Sequence, residues 1–258
     1  MFGFTKVNVN FIANAGVMIY TNKQKILIDG LHRGEDVMAG AVDEDTINEI
    51  ISATGRFKAV DMMLFSHEHL DHFNPSLTAR AMEKSGILNV MGTKAVIDHL
   101  RSDEAYSEEF EPRIWCMDMA IGLSTHINIR GINIEAIGME HDAIGRDCPV
   151  NNSYLFTIGG KTFLHVGDAK GTKANFEDVA CLKTPIDVMF VPFTYVGIAE
   201  AREAITALAP KKLVIMHMPD AGKDDNNWAE KAHMAYTTNS AALPPTVFFE
   251  KPGDGFTL

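Results

Sequence analysis

One segment of eight residues, FSHEHLDH at positions 65–72, constrains this chain more than any other feature. It places His67, His69, Asp71 and His72 together, directly after the apolar run 61–65, which predicts a short buried strand. A loop that follows a strand can aim several side chains into one cleft. Imidazole nitrogens and carboxylate oxygens are the ligands that Zn²⁺ and similar ions accept. The segment holds more donors than one tetrahedral ion with an open position needs. It therefore predicts a site for two divalent transition-metal ions, with Zn²⁺ expected and Mn²⁺ or Fe²⁺ as alternatives.

Three further candidate ligands each follow a predicted strand. His141 comes after the run 132–137, Asp168 after 162–166 and His217 after 213–216. Sites built on sheets commonly lie at the carboxyl ends of strands, on the loops that leave them. We therefore predict that these three side chains join the histidines and the aspartate of the first segment.

Composition and charge disfavour nucleic-acid-binding and membrane-spanning proteins. The 258 residues carry 23 basic and 34 acidic side chains, for a formal charge of −11, which disfavours a sequence-blind nucleic-acid binder. The longest apolar runs, such as Met62–Phe65, are far shorter than the ~20 residues of a membrane span. Three cysteines without the short spacing of a thiolate site fit free thiols in a reducing compartment. We expect a cytoplasmic protein that acts on a small molecule, without nucleic-acid or membrane partners.

The order of predicted elements indicates two sheets covered by helices. The first thirty residues read as strands with period-two alternation, and short strands then alternate with helices. Six helices are predicted, over residues 45–54, 75–84, 93–101, 175–182, 199–208 and 227–236. A hairpin is predicted across Gly159-Gly160, and a last strand over 246–250.

The chain resembles the metallo-β-lactamase superfamily over nearly its whole length. The opening hairpin, with Asn14–Val17 before one strand and Ile26–Gly30 closing the next, is similar to the family's start. Asp29 matches a family aspartate that supports the site. The remaining motifs match at His67, His69, Asp71, His72, His141, Asp168 and His217. Pro192-Phe193 and the segment from 199 to 217 resemble, within the family, the branch of ascorbate-phosphate lactonase-like hydrolases.

The resemblance implies a fold and a division of the ligands. The expected fold is α/β (α+β): one domain over residues 1–258, built as a four-layer αββα sandwich with the metals at one edge between the sheets. The first metal would be held by His67, His69 and His141. The second would be held by Asp71, His72 and His217. Asp168 would bridge the two metals.

The resemblance also implies the chemistry, with Asp71 and Asp168 as catalytic residues. Two divalent cations lower the pKa of a shared water toward neutrality, so a bridging hydroxide can attack a carbonyl or phosphoryl centre. Asp71 would orient this nucleophile and move its proton. We therefore expect a dinuclear metal-dependent hydrolase of a small, anionic ester, lactone, amide or phosphoester.

Three other functions remain open. A phosphodiesterase or nuclease of the superfamily usually carries an added RNA-binding region, which this sequence lacks, and the charge of −11 also disfavours it. Di-iron oxidoreductases of the family carry glutamate at the position of His69, together with a flavin domain. A non-catalytic binding protein would be expected to have lost some ligands.

Three residues near the predicted ligands are candidate substrate contacts. His32 follows Asp29 by three positions, Arg146 follows His141 by five, and Tyr195 lies just past a predicted strand end. Arginine and histidine suit the binding of a carboxylate or phosphate. The alternative is that all three are ordinary surface residues.

Overall fold

Alternating polar and apolar residues at the start of the chain form the first strand, and the pattern of short strands continues to the C-terminus. The computed structural model describes residues 5–34, 40–142, 148–177 and 183–258. In the described residues the strands are β1 (Asn8–Ala13), β2 (Gly16–Tyr20), β3 (Lys25–Ile28), β4 (Met62–Leu64), β5 (Asn89–Gly92), β6 (Ile114–Cys116), β7 (Ser124–Ile129), β8 (Ile132–Glu140), β9 (Val150–Ile158), β10 (Lys161–His165), β11 (Val188–Pro192), β12 (Leu213–Met216), β13 (Thr246–Phe248) and β14 (Gly255–Thr257).

Polar side chains cap the free N–H groups at the start of the first three helices. The helices are α1 (Glu44–Ile51), α2 (Pro75–Lys84), α3 (Lys94–Ser102), α4 (Lys173–Glu177), α5 (Ala199–Leu208) and α6 (Trp228–Asn239). Asn74 Oδ1 accepts a hydrogen bond from Leu77 N at 3.0 Å at the start of α2, where proline takes the first helical position. Asp43 and Thr93 cap α1 and α3 in the same way. No helix among the described residues is long and apolar enough to reach across a lipid bilayer.

The strands form two seven-stranded mixed sheets. The first has the spatial order β14-β1-β2-β3-β4-β5-β6, and the second has the order β13-β12-β11-β10-β9-β8-β7. In the first sheet β3, β4, β5 and β6 pair in parallel. In the second, β10, β11, β12 and β13 pair in parallel, and β8 runs in the same direction as β10 because both are antiparallel to β9.

The apolar faces of the sheets build three layers of core. Val9 and Val17 of the first sheet pack in one cluster with Ile134 and Phe163 of the second, so the two sheets share a central core. A second cluster joins the outer face of the first sheet to α1, α2 and α3. A third joins the outer face of the second sheet to α5 and α6. The expected four-layer αββα sandwich is therefore confirmed.

Most elements lie where the sequence predicts them. Helices α2 and α5 have the predicted bounds, and α6 begins one residue later than predicted and continues to Asn239. The helix predicted over 175–182 appears as α4 over Lys173–Glu177, and residues 178–182 lie outside the described part of the chain.

The sequence pattern does not predict strand β14. This strand forms by pairing with β1, which is far away in the chain, and a local pattern carries no signal for such a contact. A Cβ on Gly255 would lie 2.4 Å from the carbonyl oxygen of Val9. Glycine is needed here because the two backbones approach closely.

Candidate metal centre

The predicted ligands come from four loops that leave strands at one edge of the sandwich. Strand β4 runs into the loop that carries His67, His69, Asp71 and His72. His141, Asp168 and His217 follow β8, β10 and β12. Because these three strands run in the same direction, their carboxyl ends lie at the same edge of the second sheet, and this edge faces the loop after β4.

The first group consists of His67, His69 and His141. His67 Nε2 lies 2.9 Å from His69 Nδ1 and 3.2 Å from His141 Nε2. His67 and His141 are buried, and His69 is half-buried. One ring nitrogen from each of the three histidines thus converges on one small space, which could hold a metal ion.

The second group consists of Asp71, His72 and His217. His72 Nε2 lies 3.2 Å from His217 Nε2, and Asp71 Oδ2 lies 3.4 Å from His217 Nε2 and 3.7 Å from His72 Nε2. These three side chains also converge closely enough to hold an ion.

Asp168 lies between the two groups. Its Oδ2 is 3.3 Å from His217 Nε2 and 3.4 Å from His72 Nε2, both in the second group, and 3.8 Å from His141 Nε2 in the first. Its Oδ1 is buried and has no hydrogen-bond partner within the described residues. One carboxylate therefore faces both groups.

Asp29 and Ser66 set the orientation of two of the rings. Ser66 Oγ donates to Asp29 Oδ2 at 2.6 Å, so it accepts from His67 Nδ1 at 3.0 Å. His72 Nδ1 donates to the same Asp29 oxygen at 3.0 Å. Each ring thus carries a proton on Nδ1 and directs its Nε2 atom toward the other ligands. In metal sites, such outer partners fix the tautomer of a ligating histidine.

Burial favours the neutral form of two rings of the first group. Burial lowers the pKa of His67 well below its ordinary value. Burial also lowers the pKa of His141, to about 4. A metal ion is bound by the neutral form of imidazole, so these rings are suited to ligate a cation.

In the second group, the surrounding carboxylates stabilise the protonated, positively charged forms of His217 and His72. Burial lowers the pKa of His217, but the Asp168 and Asp71 carboxylates outweigh it and raise the value to about 10. Burial likewise lowers the pKa of His72, and Asp168 with Asp29 raises it well above the ordinary range. For Asp168, burial raises the pKa, while His217 and His72 hold it well below its usual range. The carboxylates therefore stabilise positive charge here, and a divalent cation in place of the protons fits the site.

Asn14 is a member of the site that sequence reasoning placed only in the opening hairpin. Its side-chain Nδ2 donates to Asp71 Oδ2 at 3.0 Å. Its backbone carbonyl oxygen accepts from the backbone N–H of His217 at 2.9 Å. Asn14 has a φ of 50°, a left-handed conformation that asparagine tolerates better than most residues. The sequence contains one indication of this role: Asn14 is a polar residue at a tight turn between two apolar strands.

A cavity of about 220 Å³ opens over the centre. Asp168 and His217 line it, together with Asp142, Phe193 and Thr194. A small molecule in this cavity can therefore reach the ligand side chains.

The candidate substrate contacts are placed differently from expectation. The structure does not support Tyr195 as a substrate contact, because it has no exposed surface and its hydroxyl donates to the carbonyl oxygen of Ala169 at 2.5 Å. His32 is also fully buried, close enough to His72 and Asp71 for their charges to affect its pKa, and burial lowers that pKa to about 4. His32 thus presents no surface to a substrate in this structure. Arg146 lies outside the described residues.

Comparison with known proteins agrees with the fold and the site. Residues 26–218 match the family model described as the beta-lactamase superfamily domain. A metal-dependent hydrolase of Pyrococcus horikoshii is 30% identical over 217 residues, which cover 82% of this chain and 84% of the relative. The structure of a metallo-β-lactamase fold protein from Bacillus subtilis superposes with a TM-score of 0.63 at 13% identity, over 98% of this chain and 99% of the other.

A further structural neighbour is an iron protein. The diiron β-hydroxylase of Streptomyces venezuelae has a TM-score of 0.65 at 12% identity, over 99% of this chain and 55% of the other. At this identity the similarity concerns the fold alone. The match over residues 26–218 and the Pyrococcus relative show that the chain belongs to the beta-lactamase superfamily and, within it, to a family of metal-dependent hydrolases.

Proposed function

We propose that the protein is a dinuclear metal-dependent hydrolase that cleaves an ester, lactone, amide or phosphoester bond in a small molecule. The observation that carries the proposal is the position of Asp168, whose Oδ2 lies within 3.8 Å of imidazole nitrogens from both ligand groups. Two ion positions joined by one carboxylate, at the base of an open cavity, suit attack by water on a carbonyl or phosphoryl centre.

We assign the ligands by the contacts they make. His67, His69 and His141 would hold the first ion, and Asp71, His72 and His217 the second. His67, His72 and Asp168 also converge on a common space, which supports Asp168 as the bridge between the two ions. Zn²⁺ suits this mixture of imidazole and carboxylate ligands, and Mn²⁺ or Fe²⁺ would also fit.

When bound, two such ions supply hydroxide near neutral pH and positive charge beside the oxygen that becomes negative during attack. The protein's own side chains then have separate tasks. Asp71 accepts a hydrogen bond from Asn14 through Oδ2, which fixes the carboxylate so that it can orient the attacking water and take its proton. The carboxyl group of Asp168 is deprotonated at neutral pH because His217 and His72 lower its pKa. Asp29 holds the His72 ring so that Nε2 faces the site.

The composition supports a small-molecule substrate. The net charge of −11 disfavours a nucleic acid, and the cavity of about 220 Å³ has room for a small molecule only. An anionic substrate would gain from the two cations, which are the positive charges nearest the reacting bond. Arg146 and His32 remain candidate contacts for it only if the segment around them exposes their side chains. The thiols of the sequence fit a cytoplasmic location.

The first experiment combines metal analysis with a screen of substrates. Protein stripped of metal and reloaded with Zn²⁺, Mn²⁺ or Fe²⁺ should bind two ions per chain by elemental analysis. It should hydrolyse at least one compound from a panel of lactones, carboxylic esters, thioesters, amides and phosphodiesters. The absence of hydrolysis in the fully loaded protein, over the whole panel, would contradict the proposal.

Asp168→Ala tests the dinuclear arrangement, and Asp142→Ala is its matched control. Both carboxylates line the cavity, but Asp142 belongs to neither ligand group. Asp168→Ala should lower metal content below two ions and abolish hydrolysis, whereas Asp142→Ala should retain both ions. A fully metallated, active Asp168→Ala protein would remove the bridging role.

A redox function on the same fold is tested with the same protein. His69 contributes a third imidazole to the first group, at the position where oxidoreductase relatives carry glutamate. Purified protein should therefore lack flavin absorbance and consume no oxygen. Oxygen or nitric oxide reduction that depends on bound iron would favour the di-iron oxidoreductase instead.

A further inference from the structure

A second depression adjoins the cavity over the metal centre. It lies between the 3₁₀ turn Phe193–Val196 and helix α6, and it has a volume of about 250 Å³. We call it the aromatic groove; its lining includes Phe193, Val196, Ile198, Trp228, Lys231 and Ala235. Phe193 and Thr194 line both the groove and the cavity over the metal centre, so the two spaces lie side by side and share a wall.

The groove exposes apolar surface that the fold itself does not need to expose. Trp228 is 39% exposed and Ile198 is 37% exposed, although both are large apolar residues. The rings of Phe193 and Trp228 lie 6.5 Å apart between centroids, with a tilt of 48°. Exposed apolar surface of this kind, beside a reactive centre, is typical of a ligand-binding groove.

The charge of the groove is positive. Its described lining includes no carboxylate, and Lys231 is its charged member. Lys231 Nζ lies 4.6 Å from the centroid of the Trp228 ring, over its face. In a chain with a net charge of −11, this cation favours a substrate that yields an anion such as a carboxylate over a cationic one.

The hydroxyl of Thr194 marks the junction of the two spaces. Its Oγ1 is buried and has no hydrogen-bond partner among the described residues. The described residues therefore leave the hydrogen-bonding capacity of this hydroxyl unused, beside both spaces.

We infer that the aromatic groove binds an arylalkyl group of the substrate, while the scissile ester or lactone bond lies in the cavity over the metal centre. The inference rests on the proposed hydrolase function and deepens it: the substrate class becomes an arylalkyl ester or lactone. The geometry behind it is the shared wall of Phe193 and Thr194, with the exposed indole of Trp228 beyond it.

The groove is tested by binding, without any need for hydrolysis. The chain has two tryptophans, so in a Trp115→Phe background the fluorescence reports on Trp228 alone. The probe is 4-phenylbutyrate, and butyrate is the control that has the carboxylate without the ring. 4-Phenylbutyrate should change the fluorescence with saturation, and butyrate at the same concentrations should not. An equal or absent response to the two acids would overturn the groove as an arylalkyl site.

A blocking variant places the binding in the groove. Gly197 lines the groove, and a Cβ there meets no atom closer than Thr194 O at 3.5 Å, so Gly197→Leu should fold and fill the space. Gly86→Leu is the matched control, because a Cβ there meets nothing within 4 Å and Gly86 lies outside the groove. Gly197→Leu should weaken 4-phenylbutyrate binding tenfold or more, and Gly86→Leu less than twofold. Ile198→Ser, at an exposed position of the groove, should also weaken binding threefold or more. Unchanged binding in both groove variants would overturn the assignment.

The link to the metal centre needs a separate signal. In Co²⁺-loaded protein, 4-phenylbutyrate should alter the visible cobalt spectrum over the same concentrations that change the Trp228 fluorescence. A fluorescence response without a cobalt response would show a groove separate from the substrate site and would overturn the inference. Groove binding with both signals, in a protein that hydrolyses nothing, would instead contradict the proposed function and leave the groove as a ligand site.

Discussion

Asn14 Nδ2 donates to both the side-chain Oδ2 and the backbone oxygen of Asp71, at 3.0 and 2.9 Å, although the two residues are 57 positions apart. The same asparagine lies 3.5 Å from His217 Nε2. The β1–β2 turn is therefore connected to the second ligand group, and a residue outside the ligand set fixes the position of Asp71.

Replacing Asn14 by glycine should weaken the second metal position selectively. Glycine accepts the φ of 50° but removes both donors, so the Asp71 carboxylate should become mobile. We expect the affinity for the second ion to fall about 10- to 100-fold, as for other outer partners of metal ligands, with the first ion retained. Asn227→Gly is the control, since Asn227 has a φ of 53° at the start of α6. Isothermal titration of metal-free protein distinguishes the two; equal affinities in Asn14→Gly and Asn227→Gly would contradict the role.

Asp29→Asn should weaken the metal site through His72. An amide nitrogen in place of Asp29 Oδ2 would donate to His72 Nδ1, so the ring proton would move to Nε2 and block the lone pair that faces the ions. We expect a loss of about 10- to 100-fold in metal affinity.

The control for Asp29→Asn is Asp61→Asn. Asp61 is a buried carboxylate that accepts from Lys25 N at 2.9 Å and from Arg130 Nε at 2.7 Å. Asp61→Asn should lower the free energy of unfolding without changing metal affinity. If both variants changed metal binding alike, the effect of Asp29 would be one of general stability.

Gly167→Ala should destabilise the fold more than a comparable change elsewhere. Gly167 has a φ of +58°, and a Cβ there would lie 2.4 Å from Asn151 Oδ1 and 2.6 Å from Ser66 Cβ. The strained backbone and the overlap together should cost about 2–5 kcal/mol. Gly122→Ala, with a φ of +80° and nothing within 4 Å of its Cβ, should cost only about 1–2 kcal/mol. Urea unfolding of the two variants measures the difference; equal losses would show that the contact with Ser66 is unimportant.

Acid should destabilise the protein partly through His165. The backbone N–H of Gly167 donates to His165 Nδ1 at 3.1 Å, so the ring proton is on Nε2, which donates to the carbonyl oxygen of Ala15 at 2.9 Å. Burial lowers the pKa of His165, and a second proton on Nδ1 would oppose the Gly167 N–H. Below about pH 6.5 the unfolded chain binds a proton at this residue that the folded chain does not. The free energy of unfolding therefore decreases as the pH is lowered.

The change in slope isolates this residue. His165→Gln should reduce the dependence of the unfolding free energy on pH by up to about 1.4 kcal/mol per pH unit, over the window from about pH 6.5 down to the lowered pKa of the folded state. Urea unfolding between pH 7.5 and 5 gives both slopes. Identical slopes would mean that His165 titrates alike in the folded and unfolded chains.

The substrate contacts show where residue types alone mislead. Tyr195 lies near a strand end in the sequence, but its ring is fully buried and its hydroxyl supports the backbone at Ala169. Strand-end position is a local property, whereas the direction of a side chain depends on the elements packed around it. Phe193 and Thr194, one and two residues earlier, line the cavity instead.

The resemblance to the metallo-β-lactamase superfamily implied the four-layer class of fold. The sequence by itself determined most of the element order and the residues that converge on the centre. Each of these depends on local information: apolar periodicity, capping residues such as Asn74, and the short spacing within 65–72. Only the tertiary structure decided that Asn14 holds Asp71 and that β14 pairs with β1. These contacts join residues far apart in the chain, and their geometry follows from tertiary packing, which no local pattern specifies.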